Sequence, residues 1–98
     1  MVASWRAALE VALRLKAIAD PVRVKLLSLL LTAPRGERNG GDLAAEVGLC
    51  ESTVSHHLGQ LRKAGLVESE RRGMNTFHRA RRDALSALWF VLDPNCCS

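Results

Sequence analysis

Five polar side chains near the middle of the chain could form hydrogen bonds with the edges of DNA bases. Their hydroxyl, imidazole and amide groups can donate and accept hydrogen bonds, and a helix that carries them can enter the major groove. The run therefore suggests a surface that reads double-stranded DNA. The candidate base contacts are Ser52, Thr53, Ser55, His56 and Gln60.

The residues around this run have the spacing of two short helices that cross at a steep angle. The crossing needs a small residue, the turn needs glycine, and the second helix needs an apolar anchor. Ala44, Gly48 and Val54 meet these needs. Val54, Leu58 and Leu61 form a narrow apolar stripe, which leaves the polar candidates off the buried face. The spacing is also compatible with a basic, solvated helical domain in which it arises by chance.

Three further residues close to the run have other expected roles. His57 borders the apolar stripe and is predicted to pack there rather than to touch a base. His78 is predicted to be a surface residue or a support of the hairpin. Gly59 destabilises a helix interior by about 1 kcal/mol relative to alanine. Close approach of another backbone or of DNA would each explain that glycine.

Positive charge is concentrated in the segment that follows the polar run. The chain has 14 Lys and Arg residues against 10 Asp and Glu, for a net charge of +4. Residues 62–82 hold seven of the basic residues and only two acidic ones, which is typical of a surface that docks on nucleic acid. Arg62 and Lys63, at the helix end, are predicted phosphate contacts. Arg71, Arg72 and Asn75, at a hairpin tip, are predicted to touch the DNA backbone or minor groove.

Helix caps and helix breakers divide the chain into five helices and one hairpin. Asp20-Pro21 begins a helix, Gly65 ends one, Asp83 is predicted to cap the last, and residues 34–41 are predicted to be a loop. The predicted helices cover Ala3–Ala19, Pro21 to just before Ala33, Leu43–Val47, Glu51–Ala64 and Ala84–Leu92, and the strands are Leu66–Glu70 and Thr76–Ala80. This order, α-α-α-α-β-β-α, predicts a mainly α winged helix-turn-helix with a small β-hairpin.

Length and composition narrow the class of protein. A chain of 98 residues, 48% of them hydrophobic, is one small domain spanning residues 1–98. Its apolar runs are far shorter than the roughly 20 residues that cross a bilayer, so we expect no membrane partner. Three cysteines do not suggest a secreted disulfide scaffold, which favours a reduced, cytoplasmic protein. No catalytic triad or glycine-rich phosphate loop is evident, so neither an enzyme nor an organic cofactor is expected.

Three segments together resemble the ArsR/SmtB family of bacterial metal-responsive repressors. They are Ala19–Leu27, Thr53–Leu58 and Leu61–Val67, and the resemblance extends over roughly residues 10–92. It implies a homodimer built on the first and last helices and a palindromic operator near the protein's own gene. It also implies that a bound metal or metalloid releases the DNA.

The apolar pattern of the last helix independently favours a dimer. Leu85, Leu88, Trp89 and Leu92 are predicted to form one stripe, with Phe90 and Val91 apolar on the other side. A helix of nine residues that is apolar on more than one face needs cover on more than one face. Trp5 and Leu9 of the first helix are the expected partners.

The inducer site must be found among the ligands this chain offers, because such sites vary in position within the family. The arsenic-sensing prototype has a Cys-x-Cys box before the turn, where residues 39–42 here carry no thiol. Zinc-type sensors of the family use histidine and carboxylate ligands on the last helix, which here offers only Asp83 and no histidine. Cys96 and Cys97 are therefore the predicted ligands of trivalent arsenic or antimony, since thiolates prefer soft ions. Residues 93–98 would then form a metalloid-binding tail.

Other roles for Cys96 and Cys97 stay open. They could respond to oxidants or persulfides, bind another soft metal, or be inert. An internal disulfide would be strained, because adjacent Cα atoms lie about 3.8 Å apart and disulfides favour about 4.4–6.8 Å. The third arsenic ligand would be an exogenous thiol, water or a cysteine beyond Ser98, since Cys50 is expected to be structural. A winged-helix module that binds protein instead of DNA is the more distant alternative.

Overall fold

The computed structural model describes residues 4–93, and in them five helices and three short strands are found. The elements are α1 (Trp5–Ile18), α2 (Pro21–Leu31), β1 (Arg38–Asn39), α3 (Gly40–Val47), α4 (Glu51–Lys63), β2 (Val67–Arg72), β3 (Asn75–Ala80) and α5 (Arg82–Leu92). The order is that of a winged helix-turn-helix, as predicted. No helix among these residues has the length and apolar character needed to span a bilayer.

Side-chain caps begin the first three helices. Ser4 accepts a hydrogen bond from the backbone N–H of Ala7, and Asp20 accepts one from Val22. Asn39 accepts one from Gly41 and so starts α3 at Gly40, three residues earlier than predicted. Each bond satisfies a backbone donor that the first turn of a helix leaves without a partner.

The start of α5 differs from the prediction. Its N-cap is Arg81, and Asp83 lies in the first turn instead of at the cap. The Asp83 carboxylate accepts a hydrogen bond of 2.8 Å from Arg81. The predicted capping role of Asp83 is therefore wrong. An acidic residue in the first turn still interacts favourably with the positive end of the helix dipole.

The three strands form one antiparallel sheet in the order β1-β3-β2. Strand β1 lies within residues 34–41, which were predicted to be a loop. It pairs Arg38 with His78 and Asn39 with Phe77. Two polar residues carry no hydrophobic alternation, so this strand exists only because the edge of β3 offers backbone hydrogen-bonding groups.

The hairpin, which we call the wing, is longer than predicted. Strand β2 continues to Arg72 and β3 begins at Asn75, so only Gly73 and Met74 form the turn. Gly73 has a φ of +61°, a left-handed value that suits glycine at the first position of a two-residue hairpin turn. The basic residues predicted for the tip therefore lie at the paired ends of the two strands.

Helix α4 packs one face against the core. Val54, Leu58 and Leu61 are at most 1% exposed and form the predicted stripe. Ala44 is buried at the crossing with α3, and Gly48 adopts the left-handed conformation in the turn. The other fully buried large side chains are Leu26, Leu30, Leu43, Leu66 and Val67. The core thus fixes α4 and leaves its opposite face to solvent.

Helices α1 and α5 pack against each other and expose large apolar side chains. Trp5 is 88% exposed and Trp89 is 62% exposed. The predicted stripe on α5 is divided, because Leu88 is buried whereas Trp89 and Leu92 are exposed. We call the large apolar side chains of these two helices that are at least 49% exposed the α1/α5 surface; they are Trp5, Leu9, Leu13, Trp89, Phe90 and Leu92.

Candidate nucleic-acid interface

Four of the five predicted base contacts share the exposed part of α4. Ser52, Thr53, Ser55 and His56 are all exposed to solvent. Gln60 is half-buried and lies in a groove lined by Leu13, Lys16 and other residues. The structure therefore groups the first four and places Gln60 at the edge of the face that borders α1.

Gly59 and His57 lie on α4 beside these residues. A Cβ on Gly59 would meet only the Arg62 guanidinium, at 3.8 Å. Packing within the described residues therefore does not require glycine, whereas close approach of DNA or of another chain's backbone would. His57 packs near the start of α2, with its Nδ1 4.0 Å from the Asp20 carboxylate. That position agrees with the expected packing role.

His78 is buried, so the first of its two predicted roles, a surface residue, is wrong, whereas the second, a support of the hairpin, agrees with its position. It lies on β3, the central strand, and is 6% exposed. Its Nδ1 is 2.7 Å from the Ser69 hydroxyl, to which Arg62 also donates at 3.4 Å. Burial, with a smaller effect from the positive charge of Arg62, lowers the pKa of His78. The imidazole is therefore neutral near pH 7, and its main partner, Ser69, faces it across the hairpin.

Arg72 is engaged within the protein. It donates two hydrogen bonds to Glu37, one of them 2.8 Å long, and further bonds to Glu70. Its guanidinium also lies 4.6 Å from the centre of the Phe77 ring. The hydrogen bonds from Arg72 hold the pKa of Glu37 below its usual range. These contacts attach the wing to the segment before β1, and a phosphate would have to compete with two carboxylates for Arg72.

The basic segment therefore divides into paired and unpaired residues. Within residues 4–93, Arg79 pairs with Glu37 and Glu68, and Arg81 pairs with Asp83. No ion-pair partner is found there for Arg62, Lys63, Arg71 or Arg82, all of which are exposed; Arg82 donates to the backbone carbonyl of Leu31. Next to the polar residues of α4, unpaired positive charge of the basic segment thus lies at the end of α4 and at the wing, where Asn75 is exposed as well.

Cys50 is the N-cap residue of α4, but its thiol makes no capping hydrogen bond. The side chain is exposed, with Sγ 3.3 Å from the Ser52 hydroxyl and 3.1 Å from that of Thr53. These hydrogen bonds lower the pKa of Cys50 to about 7. The thiol is therefore partly ionised at neutral pH, a property of reactive rather than purely structural cysteines.

Comparison with known proteins decides the family. The profile described as bacterial regulatory protein, arsR family, matches residues 20–69, which is more than half of the chain. The chain belongs to this family. The matched segment runs from the cap of α2 into β2 and so includes the whole helix-turn-helix.

Individual relatives agree with this assignment. The ArsR-family chain is 37% identical over 91 residues to the biofilm growth-associated repressor of Agrobacterium fabrum, covering 93% of this chain and 75% of the relative. It is 40% identical over 70 residues to the repressor of the same name in Xylella fastidiosa, covering 71% of this chain but only 59% of that relative. The prediction of a DNA-binding transcriptional repressor is confirmed at this level, and these relatives are regulators rather than enzymes.

Solved structures confirm the winged helix-turn-helix fold of the ArsR-family chain. A homodimeric winged helix-turn-helix DNA-binding domain from Mycobacterium bovis superposes with a TM-score of 0.72 at 33% identity, covering 89% of this chain and 81% of that one. A possible transcriptional regulator for arsenical resistance superposes with a TM-score of 0.72 at 30% identity, covering 87% and 85%.

The ArsR-family structure predicts different roles for two neighbouring arginines. We expect Arg71→Ala to weaken DNA binding and to reduce the slope of log K against log salt concentration by about 1, because one phosphate contact is lost. We expect Arg72→Ala to leave that slope unchanged and to lower the melting temperature, because Glu37 loses its main partner. Fluorescence anisotropy between low and moderate salt, with thermal melts of both variants, measures this. Equal changes of the salt slope in the two variants would contradict the different roles assigned to Arg71 and Arg72.

Proposed function

We propose that this ArsR-family protein is a homodimeric repressor that leaves a palindromic operator when trivalent arsenic binds to Cys96 and Cys97. The DNA half of the proposal is carried by the exposed polar part of α4, which Arg62 and Lys63 flank without ion-pair partners in residues 4–93. Short polar side chains provide base contacts and the unpaired cations provide phosphate contacts.

The dimer is supported by the α1/α5 surface. Six large apolar side chains on two adjacent helices are at least 49% exposed in the single chain. Large exposed apolar side chains grouped on two packed helices typically mark a protein interface. The solved Mycobacterium bovis neighbour is described as homodimeric. Two copies joined through α1 and α5 would present two α4 helices to the two halves of a palindrome.

The arsenic half is supported by the chemistry of the tail. Cys96 and Cys97 lie outside the described residues, and in residues 4–93 no group of three metal-binding side chains is found. Adjacent thiolates suit trivalent arsenic, and antimony by the same softness. One solved neighbour is described as a possible regulator for arsenical resistance. The cysteines follow α5 closely, so ligation would act on a helix of the proposed dimer surface.

The test is fluorescence anisotropy of labelled DNA from upstream of the protein's own gene, with reduced protein and with or without arsenite. We expect tight binding that arsenite weakens by about 5–150-fold, the usual range of allosteric coupling. The double variant Cys96→Ser, Cys97→Ser should bind DNA normally and ignore arsenite, and Cys50→Ser should respond like the wild type. Ultraviolet thiolate–arsenic absorption, measured without DNA, provides a second signal. Release of the double variant by arsenite would refute the assignment of the site.

A repressor that responds to oxidants or persulfides is the second candidate, and the geometry of Cys50 favours it. Its exposed thiol lies at the start of α4, and its pKa is lowered to about 7. In the same assay, release by peroxide or persulfide but not by arsenite would support this candidate. The Cys50→Ser variant and the tail double variant would then show which thiol responds.

A further inference from the structure

A cleft of about 340 Å³ lies between α4 and the wing. Its walls come from the start of α3, from one side of α4 and from the beginning of β3. Polar residues line it, among them Ser55, Arg62, Asn75 and His78. A pocket of this size with a few convergent polar groups is typical of a binding site.

His78 is the buried polar group of this cleft. The residue is 6% exposed, and its Nδ1 is occupied by the Ser69 hydroxyl. Its Nε2 lies 3.3 Å from the position that a Cβ on Gly40 would take. A side chain at position 40 would crowd Nε2, so glycine there leaves this nitrogen able to contact a ligand in the cleft.

We propose that the cleft binds a phosphate group of the DNA backbone through His78 Nε2 and the Arg62 guanidinium. The inference rests on the proposed DNA binding and extends it to a residue that is not on the exposed face of α4. Major-groove contact by α4 and backbone contact by the wing would place the sugar-phosphate chain between these two elements. The cleft is the space that separates them.

The hydrogen-bond chain behind His78 suits this role. A phosphate oxygen accepts hydrogen bonds only, so Nε2 must carry the proton and Nδ1 must accept from the Ser69 hydroxyl. Arg62 donates to the same hydroxyl oxygen, which leaves the Ser69 proton available to Nδ1. The chain Arg62–Ser69–His78 thus supports the tautomer that presents a donor to the cleft.

One acidic side chain, Glu51, also lines the cleft. Its Oε1 lies 2.8 Å from the position that a Cβ on Gly41 would take, in the first turn of α3. The positive end of the α3 dipole offsets a carboxylate at that place. Arg62 and the His78 donor then provide the attraction for an anion.

The first experiment replaces single operator phosphates by uncharged methylphosphonates and measures affinity by anisotropy. For the wild type we expect a loss of about tenfold at one phosphate in each half-site, since hydrogen bonds to charged groups are the strong ones. In His78→Phe, which keeps a buried ring but loses the donor, the loss at that position should fall below about twofold. In His78→Gln, which keeps an N–H donor, part of the affinity loss caused by the methylphosphonate at that position should return. Identical profiles in the wild type and His78→Phe would overturn the proposal.

The second experiment uses wild-type protein without DNA, so it does not depend on a variant that folds. The His78 ring signals are followed by NMR during titration with inorganic phosphate, with sodium chloride at equal ionic strength as the control. A phosphate-specific shift supports an anion site in the cleft even if the protein binds no operator, which would refute only the proposed function. If phosphate shifts the His78 signals but the methylphosphonate profiles of the wild type and His78→Phe are identical, the cleft binds a free anion and the proposed contact with the DNA backbone is overturned. If phosphate does not shift the His78 signals and the two methylphosphonate profiles are identical, the cleft is not an anion site.

Discussion

Replacing Trp89 with glutamate is expected to yield a monomer whose operator affinity is about 10²–10⁴-fold below that of the wild type. Trp89 is 62% exposed on α5, within the α1/α5 surface. A carboxylate buried there without a partner would oppose association, because a desolvated charge is costly. Two linked recognition helices bind the second half-site at high effective concentration, and a monomer loses that advantage.

Analytical ultracentrifugation and anisotropy with a two-half-site operator measure the two parts of this prediction. Trp89→Phe is the matched control, since it keeps an aromatic side chain at the same place and should remain dimeric. Circular dichroism of Trp89→Glu should be close to that of the wild type, because the side chain lies outside the core. A Trp89→Glu protein that stays dimeric and binds the operator normally would show that α1 and α5 do not form the interface.

Replacing Leu61 with alanine is expected to lower the free energy of unfolding by about 2–5 kcal/mol. Leu61 is fully buried on α4, where the helix packs into the core. Truncation removes apolar contacts and leaves a cavity that a closely packed interior only partly fills. Small domains are stable by only about 5–15 kcal/mol, so this change would leave a considerable fraction of the protein unfolded on heating.

Urea unfolding followed by circular dichroism measures the change, and all variants must be compared at one protein concentration because association adds to apparent stability. Leu61→Met is the control, because it nearly conserves volume and should cost less than about 1.5 kcal/mol. If Leu61→Ala and Leu61→Met unfold at the same urea concentration, α4 is not held by the core in the way the structure indicates.

The helix-turn-helix was predictable from local sequence because its requirements are local. A small residue at Ala44, a left-handed glycine at Gly48 and an anchor at Val54 are each dictated by positions within one turn and two helices. The 3.6-residue period of Val54, Leu58 and Leu61 likewise identified the buried side of α4 and, by difference, most of its exposed polar face.

Strand β1 and the fate of the basic residues were not predictable in this way. Arg38 and Asn39 have no hydrophobic pattern of their own, and they form a strand only by pairing with β3, which is distant in sequence. Arg72 pairs with Glu37, which is distant in sequence. A count of charges could therefore not distinguish Arg72 from Lys63 as a phosphate contact. His78 is likewise buried by tertiary contacts, with Ser69 of β2 at its Nδ1 and Gly40 of α3 beside its Nε2.

By itself the sequence determined the class of fold, the helix that presents polar residues and the family to which the chain belongs, because these depend on periodicity, caps and short motifs. The tertiary structure decided which cations stay unpaired, which histidine is buried and where a cleft opens between α4 and the wing. These properties depend on contacts between residues distant in the chain, whose spacing carries no local signal.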